Sequence, residues 1–273
     1  MRGLRRRSTS YKIRRVHRYL GPLLGIQFIF WTIGGLYFSW TSLDAVHGDH
    51  LIGAPPLIPG SAPIGSPAVA VAAIRGRESI DSLVSIELSS ILDRLVYRIG
   101  YVTTAGGAPV RRHQLADATT GELLPPVSRD DAVTVARRAL AAAGVQARVR
   151  GVELVTDANV GGHHEYRAQP LPAWAVSFEH PEAITAYVPT AIGRVVRVRN
   201  DRWRTFDFLW MLHTMDYRGR DNINNALLRG FSVLGLTTIL SGFLLFASSS
   251  PPLRRALRAL RARTRDGKPA GTS

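Results

Sequence analysis

The feature that most constrains this chain is a run of 25 residues, Tyr19 to Leu43, that contains no charged side chain. At a rise of ~1.5 Å per residue, a helix of this length exceeds the ~30 Å hydrocarbon core of a bilayer, which predicts a membrane-spanning helix over 19–43. A second apolar run predicts another span over 226–247. The alternative for the first run is a cleaved signal peptide. It is longer than the ~7–15 apolar residues typical of such peptides, and it lacks a clear small-residue cleavage site.

The distribution of charge predicts how these spans are oriented. The formal net charge is +15, but eight of the 35 lysines and arginines lie in 1–18 and seven lie in 254–273, so the interior is nearly neutral. Basic residues beside apolar runs follow the positive-inside rule, whereas a nucleic-acid-binding protein carries its charge on a folded face. We therefore expect no nucleic-acid partner, cytoplasmic tails and an external region over 44–225.

The C-terminal tail carries a further pattern. Its apolar residues share one helical face with arginines around it; they are Leu253, Ala256, Leu257 and Leu260. This pattern predicts a basic amphipathic helix at the anionic inner surface of the membrane, with a merely solvated charged tail as the alternative.

Helix and hairpin patterns follow one another between the spans. A Pro/Gly/Ser-rich stretch at 52–67 predicts a linker. Ser79 to Leu95 is one candidate helix, and 128–144 is a clearer one, with Ser128 as its N-cap and Gly144 at its end. Alternating apolar and polar residues with glycine turns predict strands after each helix, in the segments 95–102, 113–124, 173–180 and 184–200.

The predicted fold class is therefore a pair of membrane helices flanking an external α+β domain. In that domain a helix followed by antiparallel strands occurs twice. The predicted segments are a basic tail 1–18, a span 19–43, a histidine segment with linker 44–67, a first repeat 68–127, a second repeat 128–201, an amphipathic segment 202–225, a span 226–247 and a basic tail 248–273.

The absence of cysteine directs attention to histidine. Without cysteine the chain has no disulfide, no thiolate catalysis, no iron–sulfur cluster and no cysteine-type zinc site. Any redox cofactor held by side chains would therefore depend first on histidine. The eight histidines include four near the spans: His17, His47, His50 and His213. The other four, His113, His163, His164 and His180, are expected to be structural residues of loops or strand ends.

Two of these histidines have an aspartate three residues away, Asp44 before His47 and Asp216 after His213. On a helix this spacing brings a carboxylate beside an imidazole, the arrangement that orients a metal-ligating histidine. His47 and His213 are expected at the same outer level, where they could share one haem iron as axial ligands. His17 is about 45 Å away along a continuous helix, so it would need a neighbouring subunit or another ligand.

Helical spacing makes a further prediction for the segment around His213. Phe206, Trp210, His213 and Tyr217 are expected to share one face of a helix. Two alternatives to haem ligation stay open. An interfacial histidine such as His17 could simply keep its polar edge in water, and His47-x-x-His50 could bind a transition metal directly.

The chain resembles the PepSY-associated transmembrane family. The resemblance rests on KIRRVHRYLGPLLGIQFIFWTIGGLYFSW, on VHGDHL, on RWRTFDFLWMLHTMDYRGRDNINN and on LSG in the second span. It implies a bacterial inner-membrane protein with paired PepSY domains in the periplasm. It also implies haem b, a possible role in reducing ferric iron or ferric siderophores, and haem ligation by His47 and His213, with His17 and His50 behind them.

Larger members of this family have four spans, whereas two are predicted here. A homodimer would rebuild a four-helix bundle and supply two copies of each histidine. Electrons would otherwise come from a quinol or a periplasmic donor. The alternative function is non-enzymatic: a PepSY module that binds and regulates a periplasmic protease or a membrane partner. No motif for hydrolytic chemistry is present.

Overall fold

The computed structural model describes residues 9–251 and residue 255. The chain forms two compact units. The helical unit contains the residues up to Leu36 and from Leu209 onward, and the sheet unit runs from Tyr37 to Phe208. The predicted amphipathic helix of the C-terminal tail, and much of both basic tails, lie outside the described residues.

The elements follow in chain order. The helices are α1 (Thr9–Trp40), α2 (Leu43–His47), α3 (Pro67–Arg75), α4 (Arg129–Ala142), α5 (Asp201–Thr214) and α6 (Ala226–Ser249). The strands are β1 (Ser82–Ile91), β2 (Arg94–Ala105), β3 (Ala108–Asp117), β4 (Arg148–Val155), β5 (Ala173–Glu179), β6 (Thr185–Pro189) and β7 (Arg197–Arg199). A short 3-10 turn, Asp49–Leu51, follows α2.

The helical unit is built on the antiparallel pair α1 and α6. His17, near the start of α1, contacts Ser241 in the second half of α6. Farther along α1, Phe28 packs on Gly235, where an added Cβ would lie 3.2 Å from Phe28 Cζ. Glycine therefore permits the close approach of the two helices at this point.

Both helices are long and apolar enough to cross a membrane, over Ile13–Trp40 and Ala226–Ala247. Few of their residues are buried within the protein, unlike those of a core helix in a soluble domain. The first helix extends the predicted span toward the N-terminus and ends three residues before Leu43. The second span agrees closely with its predicted bounds.

Two antiparallel sheets make up the framework of the sheet unit. The first has the order β1-β2-β3, and the second has the order β4-β5-β6-β7. One face of β2 packs against α3 through Tyr97, Ile99 and Tyr101. The main core contains residues of both sheets together with α4. Its buried members include Leu51, Val96, Leu115, Leu140, Val176, Phe178, Ile184 and Val188.

Local capping explains why α4 forms where the sequence predicts it. The Ser128 hydroxyl accepts the backbone N–H of Asp131, and acidic residues occupy the first turn. Gly144 adopts a φ of +78° just after the end of the helix. The buried stripe of α4 consists of Ala132, Ala136 and Leu140.

The prediction of a helix over Ser79–Leu95 is wrong. The segment contains β1 and the start of β2, which pair antiparallel from Ser82 opposite Val102 to Ile91 opposite Arg94. The first helix of the sheet unit is α3 instead, beginning beside the predicted linker with Ser66 as its N-cap and Pro67 in its first turn. The predicted strands after it, and those of the second hairpin, are present as β2, β3, β5, β6 and β7.

Candidate functional site

His213 lies in the last turn of α5 and is half-buried among aromatic rings. The Trp210 ring lies nearly parallel to it, with the centroids 6.1 Å apart and an angle of 7° between the planes. Trp31 of α1 approaches it with a centroid distance of 6.0 Å. The imidazole thus has two indole neighbours, Trp210 stacked on it and Trp31 tilted by 47°.

Side chains from outside α5 bond the carbonyl groups at its end, which lack partners within the helix. Gln27 Nε2 donates to the Leu212 carbonyl at 2.8 Å, and Trp31 Nε1 donates to the His213 carbonyl at 2.9 Å. Asn225 Nδ2 donates to Thr214 O at 2.8 Å. These bonds hold the backbone of His213 in place.

Sequence reasoning missed this arrangement, although a signal was present. Gln27 is a polar residue within an uncharged apolar run, and it lies four residues before Trp31, so the two share one face of α1. Backbone groups in a low-dielectric environment must be satisfied within the protein. Two donors on one face of a spanning helix therefore indicate that the face meets exposed carbonyl groups.

The chain leaves the helix directly after Thr214, because Met215 has a φ of +55°. Asp216 and Tyr217 therefore do not share a helical face with His213, contrary to the predicted spacing. The Asp216 carboxylate instead accepts the backbone N–H groups of Asn222 at 2.9 Å and Gly219 at 3.2 Å. These bonds lower the pKa of Asp216 and organise the loop that leads into α6.

His17 lies near the other end of the α1–α6 pair, where hydrogen bonding determines its tautomer. Its Nδ1 is 3.0 Å from Ser241 Oγ, and that hydroxyl donates its one proton to the Thr238 carbonyl at 2.7 Å. With the hydroxyl proton directed to that carbonyl, Ser241 accepts from His17, which assigns the hydrogen to Nδ1. In the neutral ring, Nε2 then holds the lone pair, which is the state that ligates a metal.

His47 belongs to the sheet unit and is exposed at the end of α2. Asp44 lies on the same short helix, as predicted, but within the described residues no ion pair joins its carboxylate to His47. A hydrogen bond holds the backbone of α2 in place, because Asn200 Nδ2 donates to the Ala45 carbonyl at 3.0 Å. His47 is thus a solvent-facing imidazole on a fixed backbone.

His50 does not share a helical face with His47. Gly48 lies between them with a φ of +76°, so α2 ends there and His50 falls in the following 3-10 turn. Its Nε2 lies 3.6 Å from Glu182 Oε2. The helical pairing of two imidazoles assumed for a direct metal site at His47-x-x-His50 is therefore absent.

The remaining histidines are placed by the sheet unit. His164 and His180 accept nearby backbone N–H groups through Nδ1, at 3.0 Å from Tyr166 N and 3.2 Å from Glu182 N. His163 lies in the same loop as His164, whereas His113 is inside β3 rather than at a strand end.

Across residues 9–251, no group of three or more His, Cys, Asp or Glu side chains could hold a metal ion. Axial ligation of haem needs only one or two protein ligands, so it does not depend on such a cluster. Comparison with protein-family models, curated proteins and solved structures finds no match for this chain.

Proposed function

We propose that the protein is a b-type haem protein of the bacterial inner membrane. It would transfer electrons at the periplasmic face, to ferric iron or a ferric siderophore, in support of iron uptake. The observation that carries the proposal is the hydrogen-bonded state of His17. Its Nδ1 lies 3.0 Å from Ser241 Oγ, whose proton is assigned to the Thr238 carbonyl, and this assignment leaves Nε2 in the form that binds iron.

His213 supports the proposal independently. Its backbone carbonyl is bonded by Trp31, and its ring lies parallel to that of Trp210. The helical unit thus carries one held imidazole near the start of α1 and another beside Trp31, about 14 residues farther along that helix, or about 21 Å. His47 and His50 remain candidates in the sheet unit.

In this proposal the orientation follows from the basic tails. Cytoplasmic termini place residues 44–225 in the periplasm, where an acceptor of electrons would arrive. A homodimer would assemble four spanning helices and supply a second copy of each histidine. The electron donor is proposed to be a quinol or a periplasmic protein.

When bound, haem supplies one-electron chemistry between the ferric and ferrous states of its iron. The chain's own residues would hold the ligands. Ser241 sets the tautomer of His17, while Gln27 and Trp31 fix the last turn of α5 that carries His213. Asp216, one of the two aspartates expected to orient a ligand, is bonded to its own loop.

The experiment is a visible spectrum of the full-length protein, purified from haem-replete cells and reduced with dithionite. We expect the sharp bands of a six-coordinate b haem. His213→Ala, His17→Ala and His47→Ala are tested singly for loss of those bands, and His163→Ala serves as the control because its side chain is exposed in a loop of the sheet unit.

Ser241→Ala tests the observation that carries the proposal. Without the hydroxyl, His17 loses the hydrogen-bond partner of its Nδ1. The absorption bands or the redox midpoint potential of its haem should therefore shift while the fold is retained. A colourless wild-type preparation would refute the proposal. Bands unchanged in all three histidine-to-alanine variants would refute the assignment of ligands.

A further inference from the structure

The outer edge of β3 is available for pairing over part of its length. In the order β1-β2-β3, this strand pairs with β2 on one side only. The two strands are joined by Gly106 and Gly107, whose φ angles are +60° and +81°. A two-residue turn of this kind makes the flanking residues, Ala105 and Ala108, a hydrogen-bonded pair.

Hydrogen-bonded and non-hydrogen-bonded pairs alternate along an antiparallel ladder. Counting from Ala108, the backbone groups of Arg112 and Gln114 face β2, whereas those of Arg111 and His113 face outward. Leu115, two residues after His113, should also face outward. It does, because its carbonyl accepts the N–H of Leu124, which is outside the β2–β3 ladder, at 2.8 Å.

A cavity of about 570 Å³ lies along this edge, inside the sheet unit. Its lining also includes Pro170, Pro172 and Pro189. Proline has no N–H to donate, so these residues cannot contribute donors to complete the ladder from that side. Within the described residues, the backbone groups of Arg111 and His113 have no other strand beside them.

The charged side chains that line this cavity leave a net positive charge of one, from Arg111 and Arg112 against Glu78. Arg111, Arg112 and His113 are consecutive along β3, and the acidic residue among the lining side chains is Glu78. Glu78 is already engaged, since Arg112 lies 3.1 Å from its carboxylate and the Tyr101 hydroxyl donates to it. Burial, and to a smaller extent the charges of Arg111 and Arg98, lowers the pKa of His113.

We propose that the β3 edge at residues 109–114 is a docking site for an extended acidic peptide segment of a partner protein. The outward N–H and C=O groups of Arg111 and His113 lie about 6.8 Å apart, a spacing that an added strand matches and a small anion does not. Pro109, the outward residue nearer the turn, offers only its carbonyl. Arg111 supplies the charge complement to an acidic side chain of that strand.

Charge also argues against a tail of this chain as the occupant. Both tails carry a strong excess of arginine and lysine, so they would be repelled by Arg111 and Arg112. The inference does not depend on the proposed haem, because every group it uses belongs to the sheet unit.

Binding is measured by fluorescence anisotropy on the detergent-solubilised full chain. The probe is a fluorescein-labelled decapeptide of alternating glutamate and threonine, and the same peptide with lysine in place of glutamate is the control probe. We expect saturable binding of the acidic probe that weakens with added salt, and no binding of the lysine probe.

Two matched pairs of variants separate backbone pairing from charge. His113→Pro removes an outward N–H without touching the ladder with β2, whereas His113→Ala retains it. Loss of one hydrogen bond predicts binding weaker by about fivefold or more in the first variant alone. Arg111→Gln should weaken binding by up to about fivefold, and Arg129→Gln, an exposed arginine on α4, should not change it.

Unfolding temperatures show whether each variant is folded, and Arg111→Gln still tests the site if His113→Pro is not. The proposal is overturned if the acidic probe fails to bind; the arginines would then only protect the edge from aggregation. Equal affinities of His113→Pro and His113→Ala would overturn it too. So would competition by free glutarate at the concentration of the peptide, which would indicate a small-anion site.

Discussion

Arg98 offers the sharpest test of how the sheet unit is held together. This arginine of β2 is 5% exposed, and its guanidinium makes three contacts. Nε donates to the Ile192 carbonyl at 2.9 Å, one terminal nitrogen lies 2.8 Å from Glu87 Oε2, and the other donates to Ser89 Oγ at 3.1 Å. Burial and the charge of Arg194 lower its pKa, and Glu87 acts against them.

Glu87→Gln keeps the shape of the side chain and removes the counter-charge. Removing one partner of a fully buried pair costs about 3–5 kcal/mol, because the remaining charge is left uncompensated. Here the Glu87 side chain is 49% exposed, so solvent screens part of that cost. Arg98 also keeps two neutral acceptors. We therefore expect a loss of about 1–3 kcal/mol in the free energy of unfolding.

The matched control is Asp93→Asn. Asp93 pairs with Arg138 at 2.9 Å, with side chains 81% and 54% exposed, so the pair contributes about 0–1 kcal/mol. Asp93 has a φ of +68°, which asparagine tolerates. Thermal unfolding of the full chain in detergent is followed by tryptophan fluorescence. The unfolding temperature should fall by about 3–8 °C in Glu87→Gln and by about 2 °C or less in the control. Equal shifts in the two variants would refute the reasoning.

Two further predictions concern Asp117 and the left-handed glycines. The backbone N–H of Thr120 and the guanidinium of Arg94 help to lower the pKa of Asp117 to about 2, so its stabilising contribution is complete above the unfolded pKa near 3.9 and is lost as the pH falls toward 2. Asp117→Asn should flatten the dependence of the unfolding temperature on pH between about 4 and 2, and an unchanged slope would contradict this. Gly193 and Gly144 have φ angles of +71° and +78°, but only at Gly193 would a Cβ collide with a neighbouring side chain. Gly193→Ala should therefore lower the unfolding temperature more than Gly144→Ala, and equal losses would show that backbone strain alone matters.

The placement of the histidines changes the view of the candidate site. Spacing alone suggested that Asp44 and Asp216 orient their imidazoles through a shared helix. In the structure, Asp216 bonds its own loop, whereas the hydroxyl of Ser241 orients His17. Sequence separation explains why this was not predicted, since Ser241 is 224 residues from His17 and only the packing of α1 on α6 brings them together.

The error over Ser79–Leu95 has a similar physical origin. The segment has apolar residues at spacings that suit either a helix or a strand, and no local signal decides between them. The long pairing of β1 with β2 does decide it, through backbone hydrogen bonds and cross-strand contacts. Serine and proline at 66 and 67 were a local helix-start signal for α3, but they lay at the end of a stretch whose composition predicted a linker.

Local sequence by itself determined the two long apolar helices, the capped helix α4 and the hairpins with glycine turns. Each depends on interactions within a few turns or across a short loop: uncharged length, an N-cap hydroxyl, or a glycine at positive φ. Tertiary structure alone decided that donors on α1 bond the end of α5, that His17 meets Ser241, and that the outer edge of β3 borders a cavity whose lining includes prolines. Those features require groups far apart in sequence to meet, and their geometry is set by packing that no local pattern encodes.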